Sequence, residues 1–137
     1  MNLFNFFTPK AETYYVEPDS TIRQALEKFD RYKFTVLPMV DEEGIYISTI
    51  SEGDILRYIK NTAGFDLAVA ESVRISEIER YRSYLPCTAD ISMDDLIQLA
   101  MKQNFIPIVD DRGAYIGIVK RKAVLNMLYH TDTDKDD

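Results

Sequence analysis

A pattern of 14 residues occurs twice in this chain. LPMVDEEGIYISTI, residues 37–50, and IPIVDDRGAYIGIV, residues 106–119, carry a proline, an aspartate, a glycine and a tyrosine at one spacing. Leu37 aligns with Ile106, Pro38 with Pro107, Asp41 with Asp110, Gly44 with Gly113 and Tyr46 with Tyr115, each pair 69 residues apart. The agreement continues through Ile55, Leu56 and Ile59, which align with Val124, Leu125 and Leu128. Upstream the spacing becomes 71, as for Ile22 with Met93 and Leu26 with Ile97, so two residues are missing from the second copy between a helix and the next strand. A period this long, present in two copies, does not suit a solenoid. It marks a duplicated small domain, and both halves must then follow one plan.

Each half opens on a short extended segment, residues 13–16 and 84–87. Ile22, Ala25, Leu26 and Phe29 then recur at the spacing of one helix face, as do Met93, Leu96, Ile97 and Ala100. Asp19 or Ser20 is placed to cap the first helix, and Ser92 with Asp95 reads as a capping box for the second. Apolar strands follow at residues 35–40 and 105–109. The turns DEEG and DRGA have the acid and glycine chemistry of hairpins, and second strands follow at residues 46–50 and 115–119. A last helix closes each half, over residues 51–60 and 120–129.

The predicted fold class is therefore α/β (α+β), with two β-α-β-β-α repeats related by pseudo-two-fold symmetry. Residues 1–61 form the first repeat, 62–82 a linker with a helix at 67–72, and 83–130 the second repeat. Residues 131–137, HTDTDKDD with the preceding histidine, are charged and offer nothing to bury, which predicts a disordered acidic tail.

Charge and residue inventory narrow the function. A net charge of −7 opposes binding to DNA, RNA or an anionic membrane, which draws on Lys and Arg. One cysteine, Cys87, permits no internal disulfide; one histidine, His130, leaves no Cys/His set for zinc within one chain, and a serine or cysteine nucleophile would have to use His130, which lies beside the acidic tail with nothing around it to suggest that role. No basic leader precedes an apolar stretch, and no apolar run approaches the ~18 residues of a membrane span, so a cytoplasmic location is expected.

The chemistry concentrates at the start of each last helix. SEGDIL places Ser51 three residues before Asp54, the spacing of a helix cap in which Asp replaces the usual Glu or Gln. Gly53 lies inside that first turn, where it costs ~1 kcal/mol relative to Ala and leaves room for close approach to the backbone. The equivalent stretch is KRKAVL, with Lys120 in place of Ser51 and Ala123 in place of Asp54. Lys120, Arg121 and Lys122 stand where a helix already favours anions.

A duplicated β-α-β-β-α unit with an apolar-Pro-apolar-apolar-Asp strand, a glycine turn, and S/T-x-x-D opening a helix resembles the CBS domain. Two in tandem resemble a CBS pair, or Bateman module, over roughly residues 3–129. The resemblance implies a non-catalytic regulatory module. It would bind an adenosine-containing ligand (AMP, ADP, ATP, S-adenosylmethionine or cyclic di-AMP) in clefts between the repeats and signal to a protein partner, commonly as a homodimer. It implies no cofactor, only a regulatory ligand.

Residue by residue, the resemblance gives one cleft Ser51 and Asp54, the acid reading the ribose hydroxyls, with Cys87, Thr88, Phe105 and Ile106 opposite. The other cleft lacks the acid and offers cations suited to phosphate. Its candidates are Tyr14, Lys33, Phe34, Thr35, Lys120, Arg121 and Lys122, with Phe34 placed for base stacking as in stand-alone pairs that resemble cyclic di-AMP receptors. A ligand-free dimerisation or scaffold module is the alternative, supported by the missing acid of the second repeat. A small enzyme is the third reading and has the least support, since neither cleft gathers a nucleophile with a base or a metal cluster.

Overall fold

The computed structural model describes residues 2–81 and 83–136. The chain forms two compact units, Tyr14–Ser83 on one hand and Met1–Thr13 with Tyr84–Asp137 on the other. Residues 2–13, expected within the first repeat, group with the second repeat by contact.

In the first unit, helix α1 (Ile22–Tyr32) precedes the antiparallel hairpin of β2 (Val36–Val40) and β3 (Tyr46–Ser51). Helices α2 (Glu52–Asn61) and α3 (Leu67–Ser72) follow. The cap of α1 is Thr21, not Asp19 or Ser20. Thr21 Oγ1 accepts from the Gln24 amide at 3.2 Å, and Gln24 Oε1 accepts from the Thr21 amide at 2.9 Å. This T-x-x-Q box satisfies two donors that an isolated acid would leave half served. The core gathers Val16, Ile22, Ala25, Phe29, Leu37, Met39, Ile50 and Ile55, closed by Ala70, Ile75 and Ile78 from the linker. Leu26, expected on the buried face, lies at the edge and is exposed.

In the second unit, α4 (Met93–Lys102) precedes the hairpin of β4 (Phe105–Val109) and β5 (Tyr115–Lys120), followed by α5 (Arg121–Asp136). Its core holds Leu96, Ala100, Ile106, Ile108, Val119 and Val124. The two cores solve one packing problem with opposite choices. Ala25 and Phe29 on α1 stand where α4 has Leu96 and Ala100, a small-large pair exchanged for a large-small one, as a close-packed interior allows when total volume is kept. Ser92 Oγ caps α4 by accepting from the Asp95 amide at 3.1 Å. Helix α5 runs on to Asp136 rather than stopping at residue 129; residue 137 of the expected acidic tail, 131–137, lies outside the described residues. No Gly or Pro interrupts residues 121–136, and elongation adds a hydrogen bond for each residue fixed.

The hairpin turns match in detail. Gly44 and Gly113 both have φ of 86°, a conformation that glycine adopts without steric cost. Asp41 Oδ1 accepts from the Glu43 and Ile45 amides, and Asp110 Oδ1 from the Arg112 and Ala114 amides, all at 2.9 Å. The expected opening strands at residues 13–16 and 84–87 reduce to single parallel bridges, Val16 with Met39 and Cys87 with Ile108. Proline explains this. Val16 donates to the Pro38 carbonyl and accepts from Val40, and Cys87 does the same between Pro107 and Val109. The next rung would need an N–H from Pro38 or Pro107, and neither has one.

One element breaks the symmetry. Strand β1 (Phe7–Pro9) pairs antiparallel with the outer edge of β5, and Leu3 before it is buried in the second core. The approach is possible at Gly117, paired with Pro9. A Cβ there would stand 2.2 Å from the Thr8 carbonyl oxygen and 2.4 Å from the Phe7 ring. The equivalent position in the first repeat is Ser48, whose side chain would fill that space. Gly117→Ala is expected to destabilise the protein by about 1–3 kcal/mol through overpacking. Urea unfolding would show the loss, and proteolysis would find the first ten residues newly accessible.

Candidate functional site

Ser51 ends β3 in extended conformation and caps α2. Its Oγ accepts from the Asp54 amide at 3.0 Å, while Asp54 Oδ2 accepts from the Ser51 amide at 2.8 Å. The capping reading of SEGDIL therefore holds in full. Asp54 does more than cap. Its other oxygen, Oδ1, accepts from the Tyr81 amide at 2.7 Å, and the side chain is only 3% exposed. The acid expected to face a ligand is thus buried, with both oxygens engaged by main-chain donors of its own unit. The Arg57 guanidinium lies 3.8 Å from the centroid of the Tyr81 ring and holds the linker over the start of α2.

The unit also presents an aromatic surface. Tyr14 stacks on Tyr32 with centroids 4.0 Å apart and meets Phe34 at 5.4 Å. Tyr14 and Phe34 remain exposed. Lys33, between Tyr32 and Phe34, ends α1 in the left-handed conformation at φ 59°, donating its amide to the Phe29 carbonyl, and its ammonium group pairs with Asp30 at 3.5 Å. The Thr35 carbonyl accepts from the Glu52 amide and ties the strand entry to α2. Tyr14, Lys33, Phe34 and Thr35, expected together, do lie along one stretch of surface. Tyr32 belongs with them and was not foreseen, although it precedes Lys33 directly.

The remaining candidates belong to the other unit. Lys120 is the exposed last residue of β5, and Lys122 is exposed on the first turn of α5. Arg121 is partly committed, since its Nε donates to the Ala100 carbonyl at 2.7 Å and serves an end group of α4. The Arg121 amide donates to the Asn104 carbonyl, the counterpart of the Glu52 to Thr35 bond. Phe105 is buried and stacks on Tyr84 at 5.0 Å, whose hydroxyl donates to Asn104 Oδ1 at 2.9 Å. Thr88 is exposed and donates to Asp90. Ile106, expected opposite Ser51 and Asp54, has its side chain fully buried in the core, as the apolar strand pattern requires. Cys87 is half-buried. Burial first, then the nearby Asp90 charge, pushes its thiol up from 9.0 to about 11.

With this geometry in place the family can be stated. The chain is a pair of duplicated units of one small α/β module, each with a distinctive helix start. It belongs to the CBS domain family, which matches residues 9–61 and 75–130. Among curated relatives it is 27% identical over 124 residues to inosine-5'-monophosphate dehydrogenase of Aquifex aeolicus, covering 89% of this chain and 24% of that protein. It is 24% identical over 144 residues to the chloroplastic CBS domain-containing protein CBSX2 of Arabidopsis thaliana, covering 88% of this chain and 60% of that one. The chain thus spans less than two thirds of the length of these relatives. A crystal structure of Listeria monocytogenes CbpB in complex with cyclic di-AMP superposes with a TM-score of 0.83 at 18% identity, covering 96% of this chain and 97% of that one. CBSX2 in complex with AMP gives 0.72 at 22% identity, covering 96% and 98%.

Two outcomes follow from the site geometry. Asp54→Ala should cost about 2–3 kcal/mol of stability without any ligand, because it strands two main-chain donors and a cap; urea unfolding of the unliganded variant measures it. Alkylation of Cys87 at pH 8 should run about 100-fold slower than in the unfolded chain, since the raised pKa keeps it a thiol. The same shift favours the folded state below pH 9, and that contribution is lost as pH rises from 9.0 toward about 11.

Proposed function

We propose that this chain is a non-catalytic regulatory module that binds an adenosine-containing nucleotide, AMP or cyclic di-AMP in kind, and passes its occupancy to a protein partner. The observation that carries the reading is the unequal chemistry of two equivalent helix starts. One has Ser51 and Asp54, an acid able to accept from a ribose hydroxyl. The other has Lys120, Arg121 and Lys122, cations at a helix N-terminus where phosphate is favoured. The exposed faces of Tyr14 and Phe34 offer a stacking surface for a base. Relatives of the same fold solved with AMP and with cyclic di-AMP support this choice of ligand class. In this reading the chain works as a cytoplasmic homodimer and needs no cofactor, and its net charge of −7 directs it away from nucleic acid and anionic membranes.

A second reading, a ligand-free dimerisation or scaffold module, has one specific observation in its favour. Leu56 and Leu125 are equivalent residues of the two last helices and both stand exposed, at 66% and 56%. Such repetition suits an interface.

Thermal melting separates the two. A nucleotide at 100 times its dissociation constant should stabilise the fold by about 2.7 kcal/mol, seen as a clear rise in melting temperature with AMP or cyclic di-AMP. Lys122→Ala should leave the unliganded protein within about 0.5 kcal/mol of the parent while reducing the shift from a phosphate-rich ligand. An unchanged melting temperature with AMP, ADP, ATP, S-adenosylmethionine and cyclic di-AMP alike favours the scaffold.

A further inference from the structure

We propose that Gln103 is a positioning residue for nucleotide recognition, its side-chain amide presetting the stretch of main chain that carries the second unit's candidate residues Cys87, Thr88 and Phe105. This rests on the adenine-nucleotide reading and deepens it by naming what fixes that wall. Gln103 ends α4 in extended conformation and donates its main-chain amide to the Leu99 carbonyl at 2.9 Å. The residue is polar, yet it is only 4% exposed. A buried amide must find partners for its oxygen and its nitrogen.

Three bonds run from that side chain. Oε1 accepts from the Leu85 amide at 2.7 Å, and Nε2 donates to the Leu85 and Phe105 carbonyls, both at 3.1 Å. These are the groups that the short parallel bridge leaves over. Cys87 donates to the Pro107 carbonyl and accepts from the Val109 amide. Two residues back, a continued ladder would have Leu85 donate to the Phe105 carbonyl and accept from residue 107, which is proline and has no N–H. The Gln103 side chain fills both roles, because a primary amide offers an acceptor and two donors together.

The clamp lies within the candidate wall. Tyr84, next to Leu85, stacks on Phe105, Cys87 follows two residues on, and the Phe105 carbonyl is itself bonded to Gln103. Main chain that is fixed before a ligand arrives has less freedom to lose on binding. The first unit treats the equivalent place differently. Tyr14, 71 residues before Leu85, meets the rings of Tyr32 and Phe34 with centroids at 4.0 and 5.4 Å. One wall is set by rings. The other is set by an amide that can be removed without altering any candidate ligand residue. An apolar side chain at residue 103 would strand the Leu85 and Phe105 groups, and residues 84–88 would hold the binding arrangement for a smaller share of the time.

The test is calorimetric titration of the intact chain and of Gln103→Leu with AMP and with cyclic di-AMP, at a temperature where circular dichroism shows the variant folded. Gly117→Ala, which strains the same unit from the edge of β5 opposite β4, is the stability control. A positioning role requires Gln103→Leu to weaken binding of at least one nucleotide by about three- to tenfold, while Gly117→Ala binds as the parent does. A second measurement needs no variant and decides the matter if Gln103→Leu does not fold. The Gln103 Nε2 proton signals of the parent, read by NMR, must shift as nucleotide saturates. Parental affinity in folded Gln103→Leu, equal weakening by Gly117→Ala, or Nε2 signals unmoved at saturation would each assign Gln103 to the fold alone. Any of these overturns the positioning role while leaving nucleotide binding intact. Absence of binding in the parent removes the reading on which that role rests, and the role with it.

Discussion

A carboxylate almost wholly out of water must be given donors, and at Asp54 both come from the main chain. One is the Ser51 amide at the end of β3, the other the Tyr81 amide, 27 residues beyond Asp54. That single group joins a strand end, a helix start and the far end of the linker. Without it the first turn of α2 loses its cap, and the linker loses its fixed point near the place where it leaves the unit. The proposed chemistry of the module depends on the same group, because the acid that would recognise a ribose is the acid that organises the fold around it.

The second unit shows what happens when the group is absent. Ala123 stands in place of Asp54, and the cations at residues 120–122 replace a polar helix start. The unit recovers order by other means. Arg121 serves the end of α4 through the Ala100 carbonyl, and the N-terminal residues add strand β1 along β5, where Gly117 permits contact with the main chain of Thr8. Duplication thus preserved the hairpins, with their matched turns at Gly44 and Gly113, and let the edges diverge. The exchange of Ala25 and Phe29 for Leu96 and Ala100 shows the same freedom inside the cores.

The hairpins, the four long helices and even the linker helix were legible in the sequence, because each rests on local periodicity and turn chemistry. The strand at residues 105–109 and the helix at residues 67–72 fall where they were expected. What was not legible depends on contacts between distant residues. Nothing in the first ten residues announces that they join the sheet of the second repeat; the one hint is a glycine, Gly117, inside an otherwise apolar strand. The opening strands were overestimated because Pro38 and Pro107 remove ladder donors from a neighbouring strand, not from the segment itself. At the site, the Ser51–Asp54 cap was readable from spacing alone. The Tyr81 contact was not, since it is made by a backbone amide, and any residue but proline carries one. Tyr32 and Tyr84, which stack on Tyr14 and Phe105, were missed because ring contacts across a bend have no periodic signature.

Nucleotide binding is the claim on which the regulatory reading stands. Calorimetric titration of the intact chain with AMP and with cyclic di-AMP tests it most directly, because it needs no variant and no assumption about stability. A saturable heat with at least one of the two is the expected result. Flat isotherms with both, from a protein that melts cooperatively, would contradict it and leave the module as a scaffold.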